Sequence, residues 1–209
     1  FASYLIGQRA PRKSRRDPGR QLLDDFSNHL NFLKETGYVS KAGDLTEDGR
    51  WASQLRVDQP LLIAEGFRRD LLPQKDAQLL AAVIAAFVNE RETYTKISKK
   101  RVPPALKGTF DRVVKGLRPF AWQMFKRGFE ARALHLRPVL AIHAWANGEP
   151  WEKVRVLAEM EEGDLVMLIL RTADNLRHIR GLRQTFPDAA EAAQQAIELI
   201  LREPVLFEL

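Results

Sequence analysis

The stretch that decides the fold is residues 161–183, EEGDLVMLILRTADNLRHIRGLR. Leu165, Leu168, Ile169, Thr172, Leu176 and Ile179 recur at helical spacing, so one face of a helix is expected to be buried. Asp164 is expected to cap it, because a carboxylate accepts from the free amides of a first turn, and Gly163 is expected to supply the turn before it. The segment reads as the longest uninterrupted helix of the C-terminal half. Arg171 follows Met167 by four residues and Leu168 by three, which sets a guanidinium at the edge of the buried face.

Outward from this helix the pattern stays helical. Towards the C-terminus a last helix is expected at 189–202, followed by the apolar tail 204–209. Towards the N-terminus, 151–160 reads as a short helix with Pro150 at its first turn, and 136–146 as a helix stopped by Asn147-Gly148. Residues 107–132 carry Phe110, Val113, Val114, Leu117, Phe120, Met124 and Phe125 on one face, and Pro119 is expected to kink or divide them. Residues 92–106, with Lys96, Lys99, Lys100, Arg101 and two prolines, read as a basic loop. A helix at 76–91 buries Leu79, Leu80, Val83, Ile84 and Phe87, and Glu90 continues that stripe. Another, at 61–72, is closed by Pro73.

The N-terminal part differs. Leu23, Phe26, His29/Leu30 and Leu33 give an amphipathic helix at 22–36 ended by Gly37. A short strand is expected at 38–40, a turn at 42–44, and a short segment at 47–55 with Thr46 as N-cap. That order matches the end of a winged-helix domain. Residues 1–20, with Arg9, Arg12, Lys13, Arg15, Arg16 and Arg20 between prolines, read as a linker or an arm that touches phosphates. The expected architecture is mainly α: a basic arm at 1–20, a partial winged-helix segment at 21–56 and a helical bundle at 57–209.

Composition narrows the function. The 209 residues carry a net charge of +6, which favours an anionic partner. The absence of cysteine excludes disulfides, cysteine-ligated zinc and a thiol nucleophile, and fits a cytoplasmic protein. No apolar run is long enough to cross a membrane, and the first residues do not read as a signal peptide. There is no phosphate-cradling glycine-rich loop and no paired-histidine zinc motif. His29, His135, His143 and His178 fall on different helices or their edges, and no carboxylate pair is spaced for acid and base work. The chain carries no visible catalytic centre.

Six short motifs, in order, resemble the DSHCT domain, the C-terminal region of the superkiller-type and HelY-type superfamily II ATP-dependent helicases. They are Leu33-Lys34-Glu35-Thr36-Gly37-Tyr38; Leu45, Gly49 and Ala52; Ala86-Phe87-Val88-Asn89-Glu90-Arg91; Ala144-Trp145-Ala146-Asn147-Gly148; Glu162-Gly163-Asp164-Leu165-Val166 with Arg171; and Ile200-Leu201-Arg202-Glu203-Pro204. The resemblance covers about residues 28–209 and implies a winged-helix remnant leading into a bundle that closes a channel for single-stranded RNA or DNA. It implies that Glu90 and Arg171 approach the bases, and Asn175 and His178, on the helix of Arg171, join them as nucleic-acid-binding residues. An arginine plane stacks on any base, so such a contact tolerates any sequence.

Two departures stand out. Met167 occupies the turn where the family often has a second basic residue, and the inserted arch of the eukaryotic relatives is not present. No cofactor is expected in this chain; ATP and Mg would belong to ATPase domains of a longer parent, with which the bundle would pack. Two other readings fit the residues. One is a freestanding helix-turn-helix-like DNA-binding regulator built on 151–183. The other is a helical scaffold in which Glu90 and Arg171 are surface residues or pair with each other.

Overall fold

The computed structural model describes residues 18–89 and 102–206. Within them the helices are α1 (Pro18–Glu35), α2 (Glu47–Ala52), α3 (Pro60–Arg68), α4 (Ala77–Val88), α5 (Pro104–Lys126), α6 (Leu136–Ala146), α7 (Trp151–Ala158), α8 (Glu162–Arg180) and α9 (Pro187–Ile200). The mainly α expectation holds.

The centre is α4. Its sequence, AQLLAAVIAAFV, has no charged side chain, and a helix that is apolar all round must be covered on every side. Leu80 to Val88 are all buried, and α6, α8 and α9 pack against the helix. Asp76 caps it by accepting from the Leu79 amide at 2.8 Å. α9 presents Ala189, Ala192, Ala193 and Ala196, small side chains that suit its close approach to α8 and α4. The buried Trp145 of α6 donates its indole N–H to the Ile200 carbonyl at 2.8 Å, while the Arg202 guanidinium lies 3.3 Å from its ring centre.

Residues 21–56 share this core: Phe32, Tyr38 and Trp51 are buried in the same apolar cluster as α4 and α8. α1 ends as expected. Gly37 takes φ +81, its amide bonds to the Lys34 carbonyl, and the Tyr38 amide reaches back to Leu33 at 2.9 Å. Thr46 caps α2, accepting from the Gly49 amide at 3.1 Å. The strand expected at 38–40 is reduced to one antiparallel bridge, Val39 with Leu45. The apolar stripe expected on α1 is only partly used, since Leu22, Leu23 and Phe26 are exposed and Phe32 is the residue that enters the core.

A buried carboxylate ties the turn after α1 to α3. Glu65 accepts from Arg69 Nε at 2.7 Å, Arg68 Nη2 at 2.5 Å and the Tyr38 hydroxyl at 3.2 Å. Arg68 also donates to the Thr36 carbonyl at 2.7 Å. Burial pushes the Tyr38 hydroxyl well above its ordinary pKa, with Arg68 opposing and Glu65 adding to the shift, so it remains a donor.

Several features differ from expectation: the arm expected at 1–20 gives way to α1 at Pro18, and the helix expected at 107–132 runs from Pro104 to Lys126. The 61–72 helix stops at Arg68, because Asp70 adopts the left-handed conformation at φ +51 and the Leu71 amide bonds to Gly66 at 2.9 Å. Pro119 does not divide α5; it lies on the exposed face, and the helix runs unbroken for 23 residues. α8, at 19 residues, is therefore not the longest helix of the C-terminal half. Its N-cap is Glu161, not Asp164. Asp164 sits inside the first turn, where the positive end of the helix dipole favours a carboxylate, and Gly163 is helical.

Candidate nucleic-acid interface

The face expected to be buried on α8 is buried: Leu165, Leu168, Ile169, Thr172, Leu176 and Ile179 all turn inward. That fixes the rotation of the helix and brings Arg171 to the rim, with 36% of its side chain exposed. Met167, one turn earlier, is 54% exposed. Val88, Asn89, Met160, Asp164, Met167, Leu168 and Arg171 enclose a groove of about 240 Å³. It lies between the C-terminal end of α4 and the first three turns of α8.

Arg171 is held by a residue far away in sequence. Asp58, just before α3, accepts from Arg171 Nη2 at 2.7 Å and from Arg132 Nη2 at 3.4 Å. Its second carboxylate oxygen accepts from Asn175 Nδ2 at 3.0 Å, and its own amide donates to Asn175 Oδ1 at 2.9 Å. Asn175 Nδ2 also donates to the Arg171 carbonyl at 2.9 Å. Next to Asp58, Gln59 takes a left-handed φ of +50, accepts from the Arg132 amide at 2.9 Å and donates to the Phe87 carbonyl at 3.1 Å. The turn into α3 is thus latched to α4, to α8 and to the segment after α5.

Chemically, the node places two guanidinium groups around one carboxylate at the edge of solvent. One Nη of Arg171 is committed to Asp58, and this orients the planar group. A guanidinium at such an edge suits phosphate oxygens by its charge and a base by its flat face.

The four site residues expected from sequence separate here. Arg171 lines the groove. Asn175 is 4% exposed, with its amide committed to Asp58 and to the helix backbone. His178 is half-buried two turns beyond Arg171, about 10 Å along the axis. Glu90 lies outside the described residues, as do residues 1–17 of the arm expected at 1–20 and residues 92–101 of the basic loop; its neighbour Asn89 is in the groove. Asp58, Gln59 and Arg132 were not legible as site residues. The one local hint is Asp-Gln-Pro at a helix start, which reads only as a cap. Among the described residues no cluster of three His, Asp or Glu side chains is arranged to hold a metal ion. No described helix is long and apolar enough to cross a membrane.

Comparison with known proteins gives a consistent picture. The family model of the DSHCT (NUC185) domain matches residues 42–208. Superkiller complex protein 2 of Homo sapiens is 23% identical over 201 residues, covering 91% of this chain and 16% of the relative. The Mus musculus protein of the same name gives the same figures. A chloroplastic DExH-box ATP-dependent RNA helicase of Arabidopsis thaliana, DExH15, is 34% identical over 64 residues, which is 31% of this chain and 6% of that protein. The chain therefore spans about one-sixth of the length of the superkiller relatives it matches.

Proposed function

The chain belongs to the DSHCT (NUC185) domain family, and from that premise we propose that it is an accessory domain of an ATP-dependent RNA or DNA helicase. The bundle lines the path of a single strand and holds it while ATPase domains of the same parent move it. Residues 57–209 are the bundle proper. Residues 21–56 are the end of a winged-helix unit, a reading supported by the helix, bridge and helix order around Val39 and Leu45. ATP and Mg belong to the ATPase domains, and the setting is the cytoplasm.

The observation that carries this reading is the state of Arg171. It is half-exposed over a groove and oriented by Asp58 through a 2.7 Å contact, at the position where the family pattern puts a strand contact. Glu90, next in sequence to the groove residue Asn89, is the second residue of this reading to contact the strand. His178 extends the contact along α8, and Asn175 acts on it through Asp58 and the Arg171 carbonyl. Met167 leaves the preceding turn without a cation, so Arg171 carries the contact there alone.

Arg171→Ala in the complete helicase should weaken single-strand binding or unwinding with the fold intact. Equal unwinding by variant and wild type would falsify the channel role and leave Arg171 as a structural partner of Asp58, which is the scaffold reading. The regulator reading has less support. A recognition helix needs base-reading side chains in its first turns, whereas Leu165 and Leu168 of α8 are buried and the exposed side chains there are an acid, Glu162, and an apolar one, Met167.

A further inference from the structure

A second surface carries a charge pattern that the Arg171 groove does not use. α5 holds five basic residues and a single acid, Asp111, which is paired with Lys107. The other four, Arg112, Lys115, Arg118 and Lys126, are all exposed. At 100° per residue, Arg112, Lys115, Trp122 and Lys126 fall on one outward stripe, with Arg118 on its flank. Between Arg112 and Lys126 the stripe runs about 21 Å.

Most exposed helix faces in this molecule mix signs. On α7, Arg155 pairs with Glu152; on α8, Arg177 pairs with Asp174. On the α5 stripe the one acid, Asp111, is paired with Lys107, the other charges are all cationic, and the stripe contains an aromatic ring. Trp122 is 40% exposed and stacks on Phe125 with ring centres 5.4 Å apart and planes 20° from parallel. The Lys126 ammonium lies 5.8 Å from the Trp122 ring centre. A flat ring flanked by cations is what a splayed-out base and its phosphates require: the ring stacks, the cations neutralise, and no sequence is read. A duplex keeps its bases stacked on each other and offers no free base face, so the complement of this surface is a single strand.

We propose that the outward face of α5, made by Arg112, Lys115, Arg118, Trp122 and Lys126, is a second binding surface for single-stranded nucleic acid, separate from the Arg171 groove. α5 packs on α3, α4 and α6, whereas α8 packs on α4, α7 and α9, so α4 stands between the two helices. The strand contacts this face outside the groove, before entering or after leaving it. This surface does not depend on the role of Arg171.

The test is binding of a fluorescein-labelled single-stranded RNA to the full chain as a function of salt. Circular dichroism confirms the fold of each variant, all of which change exposed side chains. The double variant Arg112→Gln, Lys115→Gln should lower the slope of log affinity against log salt by about 1.4, from about 0.7 per lost phosphate contact. Trp122→Ala should weaken binding about tenfold, and Trp122→Phe should restore most of it, because a benzene ring still stacks. Both effects should persist in an Arg171→Ala background, which separates this surface from the groove. Unchanged affinity and slope in the folded variants overturn the proposal. So does a loss confined to association with the ATPase domains, which would make the face a protein interface.

Discussion

Asp58→Ala tests the node that orients Arg171. The carboxylate accepts from Arg171 at 2.7 Å, from Asn175 at 3.0 Å and from Arg132 at 3.4 Å. Its side chain is 19% exposed and that of Arg171 is 36% exposed. A hydrogen bond to a charged group in a buried site contributes about 1.5–3 kcal/mol, and an exposed ion pair about 0.2–1 kcal/mol. With Arg171 able to rehydrate, its bond falls near 1 kcal/mol. The Asn175 bond contributes a similar amount, and the 3.4 Å contact to Arg132 adds little. The backbone amide of residue 58 still reaches Asn175 in the variant, so that oxygen stays satisfied.

The expected loss is about 2 kcal/mol, which at a urea slope of about 2–3 kcal/mol/M moves the unfolding midpoint down by about 0.8 M. Arg171→Ala should cost only about 1 kcal/mol, since Asp58 keeps Asn175 and Arg132. The double variant should then fall short of additivity by about 1 kcal/mol, the signature of a direct pair. Strand affinity in Asp58→Ala should drop less than in Arg171→Ala, because the guanidinium survives without its anchor. An Asp58→Ala stability within about 0.5 kcal/mol of wild type, with additive double-variant behaviour, would refute the latch and reduce the node to solvated surface charge.

Two further predictions concern the scaffold. A Cβ added at Gly49 would sit 2.0 Å from the Tyr38 carbonyl oxygen, a backbone atom that also accepts from the Thr46 amide at 3.1 Å. Gly49→Ala should therefore cost about 2–3 kcal/mol and lower the thermal midpoint by about 5–10 °C; an unchanged midpoint would mean that the turn yields freely. His143 has its pKa pushed below the ordinary 6.5 by burial, with the Asp76 carboxylate opposing. The fold thus prefers the neutral ring. The unfolded chain binds the proton more tightly, so this contribution is complete above about pH 6.5 and drains away as pH falls towards the depressed folded value. Urea midpoints across that window should fall with pH in wild type and flatten in His143→Gln; identical profiles would show that the ring is not the source.

The period of α8 was legible because helical spacing is a local property. Once Leu165, Leu168, Ile169, Thr172, Leu176 and Ile179 share a face, the edge position of Arg171 follows from 3.6 residues per turn. The apolar sequence of α4 likewise fixes it as the central helix, and Gly37 and Thr46 act through bonds to their near neighbours. Local rules failed where a residue without the usual signature did the work. Asp70 took the left-handed position usually left to glycine, and α5 runs unbroken through Pro119.

The sequence by itself thus determined a mainly helical chain, the buried face of α8 and the place of Arg171 at its rim. What holds that arginine was decided by tertiary structure alone. Asp58 and Arg171 are 113 residues apart, and nothing near Asp58 in the chain announces a partner. Their meeting depends on how the turn before α3 lies across α8, and packing of α4 against its neighbours sets that register. Hydrophobic periodicity says which way a side chain points; only the packed bundle says what stands opposite.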